Sequence, residues 1–193
     1  MNTPAHLLLG AAVFAKPGAR LVTAAAVFGA LLPDLSLYLL AGGAIYVLGV
    51  PPETVFGEYY FSDSWQTIFA IDNSLILWGA LFALSLAWGG AALRAFAGSG
   101  LLHVASDFLL HNDDARRQFW PLSDWVFHSP VSYWDPDHYG WLIGPLEMLL
   151  CIGLAIVLWR RFHGVIARLT VLLLLGLEIL PWAVFFLFLG GGS

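Results

Sequence analysis

Charged residues are scarce in this 193-residue chain: they make up 11% of it, with 8 Lys and Arg against 13 Asp and Glu. A soluble domain carries about 25%, so there is too little charge here to cover a water-facing globule. Basic charge is the scarcer sign, and the net charge of −5 offers no cationic face to a nucleic-acid backbone. Nucleic acid is therefore not an expected partner. Cysteine is scarcer still: Cys151 stands alone in an apolar run, can form no intramolecular disulfide, and says nothing about redox compartment. The first residues lack the basic n-region of a secretory signal, since Lys16 and Arg20 follow the first apolar run instead of preceding it.

What is abundant is apolar surface. Hydrophobic residues make up 60% of the chain and the mean hydropathy is +0.80, the balance of a polytopic membrane protein. An apolar stretch of about 20 residues spans a bilayer as a helix, and on that criterion the chain reads as all-α, a transmembrane bundle of about six helical segments. The first is short, from Pro4 to Ala15, with Thr3 and Pro4 placed as N-cap and first helical residue. The second runs from Leu21 to Gly49 and is expected to break at Pro33, with Asp34 at the break. The others run from Gln66 to Trp88, Ala91 to His111, Gly144 to Trp159 and Val165 to Leu189. Residues 1–189 thus form one domain, with an outer interfacial loop at 112–143, and the GGGS of 190–193 reads as a linker remnant.

Charge placement orients the bundle. Lys16, Arg20, Arg94, Arg160, Arg161 and Arg168 fall in alternate turns, the cytoplasmic ones by the positive-inside rule. Glu53, Glu58, Asp63, Asp113, Asp114, Asp124, Asp135 and Asp137 occupy the opposite loops, against only Arg116 and Arg117. The expected setting is a bacterial-type inner membrane, crossed several times, with the acidic loops outside. His6, Asp72, His103, Asp107 and His111 then share the outer half of the membrane.

The segment GLLHVASDFLLH carries the chemistry. His103, Asp107 and His111 recur every four residues, so on a helix they form one stripe. An acid near the bilayer centre costs roughly 3 kcal/mol; Asp34, Asp72 and Asp107 should therefore face one another, water or a cation. A His and carboxylate donor set suits zinc or another divalent transition metal better than calcium. At about 1.5 Å of rise per residue, His103 and Asp107 can share one ion. His111, a further turn along, reads as a second-ion ligand, an outer-sphere group or an acid/base. The competing reading is that these polar side chains simply hydrogen-bond helices together.

Three motifs, TPAHLLLGA, LLPDLS and the HxxxD of LLHVASDF, resemble the YdjM-like family of integral-membrane, metal-dependent hydrolases, related distantly to zinc-dependent phospholipase C. The likeness covers the first 40 residues and about 100–122. It implies a metal site at His6, Asp34, His103 and Asp107. Where the family carries an HRGxTHS-like motif, this chain reads SDSWQTIFAIDNS, so Asp72 and Ser74 stand in place of its histidines. No P-loop pattern is present.

Together these features point to metal-assisted hydrolysis of a lipid or lipid-linked ester or phosphoester, with Asp72 or His111 as general base. Membrane lipids are the expected partners and a lipid-like molecule the expected substrate; protein partners are not indicated. Trp120, Trp125, Tyr133, Trp134, Tyr139 and Trp141 are interfacial residue types, and their loop reads as a lid. The alternative is a non-enzymatic membrane protein whose polar cluster binds a metal or small solute for transport, or locks a bundle that supports a partner complex. Glu147 lies near an outer helix end, and Glu178 has no partner evident in the sequence.

Overall fold

A computed structural model describes residues 1–184, all helix, turn and loop with no strand among the described residues. The linker reading at 190–193 and the last five residues of the sixth expected segment lie outside them. Seven main helices follow in order: α1 (Thr3–Phe14), α2 (Arg20–Gly42), α3 (Asp63–Asp72), α4 (Leu75–Trp88), α5 (Ala91–Leu110), α6 (Gly140–Arg161) and α7 (Val165–Val184). Helix α2 continues through a π-helical turn, Gly43–Val47. Among the described residues three helical stretches are long and apolar enough to cross a membrane: Arg20–Val47, Asp63–Trp88 and Gly140–Arg161. Large apolar side chains such as Leu39, Tyr46, Leu86, Trp88, Ile166 and Leu173 point outward, as they should in a protein whose solvent is partly lipid.

Two expectations about the helices need correction. The third expected segment is two helices, because Asn73 and Ser74 offer the backbone better partners than a continued helix would. Asn73 Nδ2 donates to the carbonyls of Phe69 and Pro33, and Ser74 Oγ accepts from Leu77 N at 3.0 Å as the N-cap of α4. Conversely, α2 runs unbroken through Pro33. Proline deletes one backbone donor, but tertiary packing outweighs that loss. The turn containing Gly29 and Pro33 is pressed against α5, and a Cβ built on Gly29 would lie 2.1 Å from the Phe96 carbonyl oxygen.

Helix α5 is the axis of the molecule. Its inward residues are small, with Ala95, Ala97, Gly98, Ser99 and Gly100 all buried, which lets α1, α2 and α4 approach closely. Below this small-residue stretch, nearer its C-terminus, come His103, Val104 and Asp107, buried by the same neighbours. Close helix packing therefore carries the polar stripe into the interior.

The connection from α5 to α6 is irregular apart from a 3₁₀ turn, Pro136–His138, and is tied to the bundle at several points. Ser129 N donates to His111 O at 3.0 Å, Leu75 N donates to Gln118 O at 2.8 Å, and Ser74 Oγ donates to Trp120 O. Phe108 of α5 stacks on Phe127 at 4.7 Å and meets Phe119 edge-on.

Candidate metal centre

Asp107 is the hub of the buried cluster. Its Oδ1 lies 2.9 Å from His6 Nε2 and 3.2 Å from His111 Nε2, while its Oδ2 lies 3.2 Å from His103 Nε2. The α-amino group of Met1 lies 2.6 Å from the same Oδ1. The His6 and His103 rings stack in parallel, with centroids 3.5 Å apart and an interplanar angle of 8°. Residues distant in sequence meet because α1 and α5 cross at this depth, and because the spacing of four puts His103 and Asp107 one above the other.

The outer ring nitrogens of both histidines have partners. His103 Nδ1 lies 2.7 Å from the Ala30 carbonyl, which can only accept, so this nitrogen carries the proton. His6 Nδ1 faces Ser106 Oγ at 3.4 Å, and that hydroxyl already donates to the carbonyls of Leu102 and His103. The serine hydroxyl is thus the outer partner of His6 Nδ1. Each Nε2 is directed inward, against the Asp107 carboxylate, and is the nitrogen through which the ring would bind an ion once deprotonated. Despite the short distances to Asp107, neither Nε2 makes a directed hydrogen bond among the described residues.

One donor atom from each of His6, His103 and Asp107 lies within 4.8 Å of the others, and all three residues are buried. Zinc bonds imidazole nitrogen and carboxylate oxygen at about 2.0–2.2 Å, so two ligands of one ion stand at most about 4.2–4.4 Å apart. Asp107 oxygens lie 2.9 Å from His6 Nε2 and 3.2 Å from His103 Nε2, inside that limit, so the three residues are close enough to share one ion. Two imidazoles with Nε2 turned inward and one carboxylate, each held by an outer hydrogen bond or ion pair, are the donor types and outer partners that a metal site uses. This cluster could hold a metal ion.

Asp34 stands beside that trio. Its Oδ1 is 3.5 Å from His103 Nε2, and its Oδ2 accepts from Thr3 Oγ1 at 2.5 Å. Thr3 was expected to cap α1 but orients Asp34 instead, while Asn2 takes the capping position without a side-chain cap bond. His111 sits just past the end of α5 and bridges two acids, with Nδ1 2.9 Å from Asp114 Oδ2. Burial alone would push the Asp114 carboxyl up, but the imidazole against it holds it below the usual carboxylate range. Asp72 is placed elsewhere. It ends α3 with its side chain near Ser36 and does not line the cavity that Asn73 helps to form.

That cavity, of about 150 Å³, opens over the cluster. Asp34, Asp107 and His111 share its lining with Asp114, Arg116 and Tyr133. Burial, followed by the nearby Asp107 and Asp114 carboxylates, pushes the Tyr133 phenol upward, so its hydroxyl stays protonated at neutral pH and can donate. Asp114 and Arg116 were read in the sequence only as loop charges; the compact run NDDARR following the histidine stripe was the available signal. Glu178 acquires partners from the fold. Asn2 donates to Glu178 Oε1 through its side chain and to Glu147 Oε1 through its backbone, gathering two acids from α6 and α7.

No family model, curated protein or solved structure matches this chain.

Proposed function

We propose that this protein is a membrane-embedded hydrolase that uses zinc or another divalent transition metal to cleave a lipid or lipid-linked ester or phosphoester. The observation that carries this reading is the convergence of His6 Nε2, His103 Nε2 and an Asp107 oxygen, with both Nδ1 atoms already engaged. Those three residues would hold the ion, with Asp34 beside them. Once bound, it supplies a Lewis acid and a water whose pKa falls toward about 7.

The chain's own groups can manage the rest. His111 lines the cavity and is the better-placed general base, since Asp72 lies outside it. It would take a proton from the attacking water as the water oxygen bonds to phosphorus or the acyl carbon. The same imidazolium would return the proton to the departing alkoxide as the ester bond breaks. Asp114 on the far ring nitrogen holds the imidazole in orientation, and Tyr133 can donate to charge developing on the substrate. On this reading the chain sits in a bacterial-type inner membrane, its site near the outer face, its aromatic loop serves as a lid at the headgroup layer, and its ancestry lies with the YdjM-like hydrolases that its motifs resemble.

Elemental mass spectrometry of the detergent-purified protein tests the metal. Near-stoichiometric zinc or another transition metal in the wild type, lost in a His103→Ala, Asp107→Ala double variant, is the expected result. A wild type that binds no metal even after reconstitution with zinc would overturn it. That outcome favours the second reading, a polar lock for the bundle, which draws on the fact that Asp107 is already surrounded by three imidazoles and an ammonium.

A further inference from the structure

The cations of this chain are gathered away from its acids. Lys16, Arg20, Arg94, Arg160, Arg161 and Arg168 are six of its eight Lys and Arg, whereas residues 1–33, 73–106 and 148–177 hold no Asp or Glu. The start of α2, the start of α5 and the end of α6 lie together, since Ala15 packs with Ala26, Ala95 and Phe162. From Ala95 to Asp107 is roughly 18 Å along α5, so this basic end is remote from the candidate metal centre. Some of its cations are engaged within the chain: Arg161 Nη1 donates to the Ala12 carbonyl, and Arg168 stacks on the Trp159 ring. Lys16 and Arg20 are both exposed and have no ion-pair partner among the described residues.

Beside Lys16 and Arg20 runs an apolar furrow of about 550 Å³, reaching Phe162. A second, of about 410 Å³, lies against Leu93 and Phe96 of α5. Both furrows include Ala24 and Phe28, residues four apart that form one ridge of α2. Thr23, Val27 and Leu31 line the furrow on one side of that ridge, and Leu21 and Ala25 the furrow on the other. From Arg20 to Leu31 is roughly 17 Å of helix, the depth of one leaflet in a hydrocarbon core about 30 Å thick. Lipid chains cover any apolar surface in a bilayer; what is particular here is a pair of furrows on one ridge with two unpaired cations at its end. Helix α2 adds to that charge. Its N-cap, Ala19, makes no side-chain cap bond, so the amides of its first turn are left for an anion at the same rim. Lys16 is held there by its backbone, which donates to Thr23 Oγ1 at 3.2 Å and accepts from the same hydroxyl at 3.0 Å, leaving the ammonium free.

We infer that this is the binding site of one anionic glycerophospholipid, with its headgroup phosphate on Lys16, Arg20 and the start of α2 and its two acyl chains along the furrows flanking Ala24 and Phe28. Charge selects the lipid, because basic residues at the end of a transmembrane helix attract anionic headgroups over zwitterionic ones. The site is separate from the cavity over Asp107 and holds whether or not the protein is a hydrolase.

Phosphatidylglycerol and phosphatidylcholine with matched chains, titrated separately into the detergent-purified full chain and followed by native mass spectrometry, test the site. The wild type should take up one phosphatidylglycerol about 10–30-fold more tightly than phosphatidylcholine, as contacts with two basic side chains imply. A Lys16→Gln, Arg20→Gln double variant should lose that preference. Arg160→Gln, which removes a charge outside the furrow lining, should keep it. Ala24→Trp fills both furrows while leaving the cations in place, and should abolish the tight uptake of phosphatidylglycerol. Equal wild-type affinity for the two lipids, or an unchanged preference in the double variant, overturns the inference. A loss in Arg160→Gln as large as that in the double variant also overturns it, since the attraction would then belong to the whole basic end, and so does wild-type affinity in Ala24→Trp. Melting temperatures separate misfolding from lost binding. Should the double variant fail to fold, Ala24→Trp and Arg160→Gln decide.

Discussion

Single atoms decide what the centre can do, above all the two Nδ1 positions. A histidine buried in a membrane is a liability as a cation and a ligand as a neutral base, and the outer hydrogen bond selects between them. For His103 the selector is the Ala30 carbonyl, which no side-chain substitution removes. For His6 it is the Ser106 hydroxyl. Ser106→Ala should therefore leave metal stoichiometry intact at saturation and weaken affinity by about 10–100-fold, the usual loss when an outer hydrogen bond to a ligand is removed. Competition with a chromophoric zinc chelator measures this; unchanged affinity would mean that the serine does not set the His6 tautomer.

Among the elements, α2 and α5 matter most, because their close approach places Asp34 and His103 side by side. Gly29 permits that approach: any side chain there collides with the Phe96 backbone, which cannot step aside as a flexible side chain would. Gly29→Leu should destabilise the protein by about 1–3 kcal/mol through overpacking and also lower metal occupancy, although residue 29 touches no proposed ligand. Gly79→Ala is the matched control, since a Cβ there meets nothing within 4 Å; it should alter neither. Thermal unfolding in detergent together with metal content checks both. Equal behaviour of the two variants would remove the link between helix approach and site assembly.

Across the whole molecule, electrostatics separates the buried helix bundle from the loop between α5 and α6. In that loop Asp135 Oδ2 lies 2.6 Å from His138 Nδ1. The hydrogen bond raises the His138 imidazole above its ordinary 6.5 and, with a second bond from Asp137 N, lowers the Asp135 carboxyl below its ordinary 3.8. A raised base contributes stability fully below 6.5 and loses it as pH rises through the folded value; a lowered acid contributes above 3.8 and loses it as pH falls through the folded value. Both contributions are therefore complete only between 3.8 and 6.5. Imidazole NMR should show His138 titrating above 6.5, with Asp135→Asn returning it toward that value; no change on substitution would refute the pairing. For orientation, in a Cys151→Ala background, Asp113→Cys should react with an impermeant thiol reagent in intact cells and Arg160→Cys should not. The reverse pattern would invert the topology.

Helical class, membrane character and the donor residues were legible in the sequence, because each follows from local rules: apolar run length, a spacing of four on one helix, and the cost of acids in hydrocarbon. His103 and Asp107 could be named that way, whereas His6 and Asp34 were named as ligands through the motif resemblance; the fold brings all four together. Local rules misjudged Pro33 and the Asn73–Ser74 break, where a close α2–α5 contact outweighs a missing donor and two short polar side chains outcompete a continuing helix. They also could not separate Asp72 from Asn73, adjacent residues of which only the asparagine reaches the cavity, nor find a partner for Glu178, which Asn2 supplies from 176 residues away. The sequence by itself determined that these polar groups needed one another, water or a cation as partners, since hydrocarbon offers them none. Only the tertiary structure decided which atoms face one another, because that depends on how closely the helices pack and on where the chain between them returns.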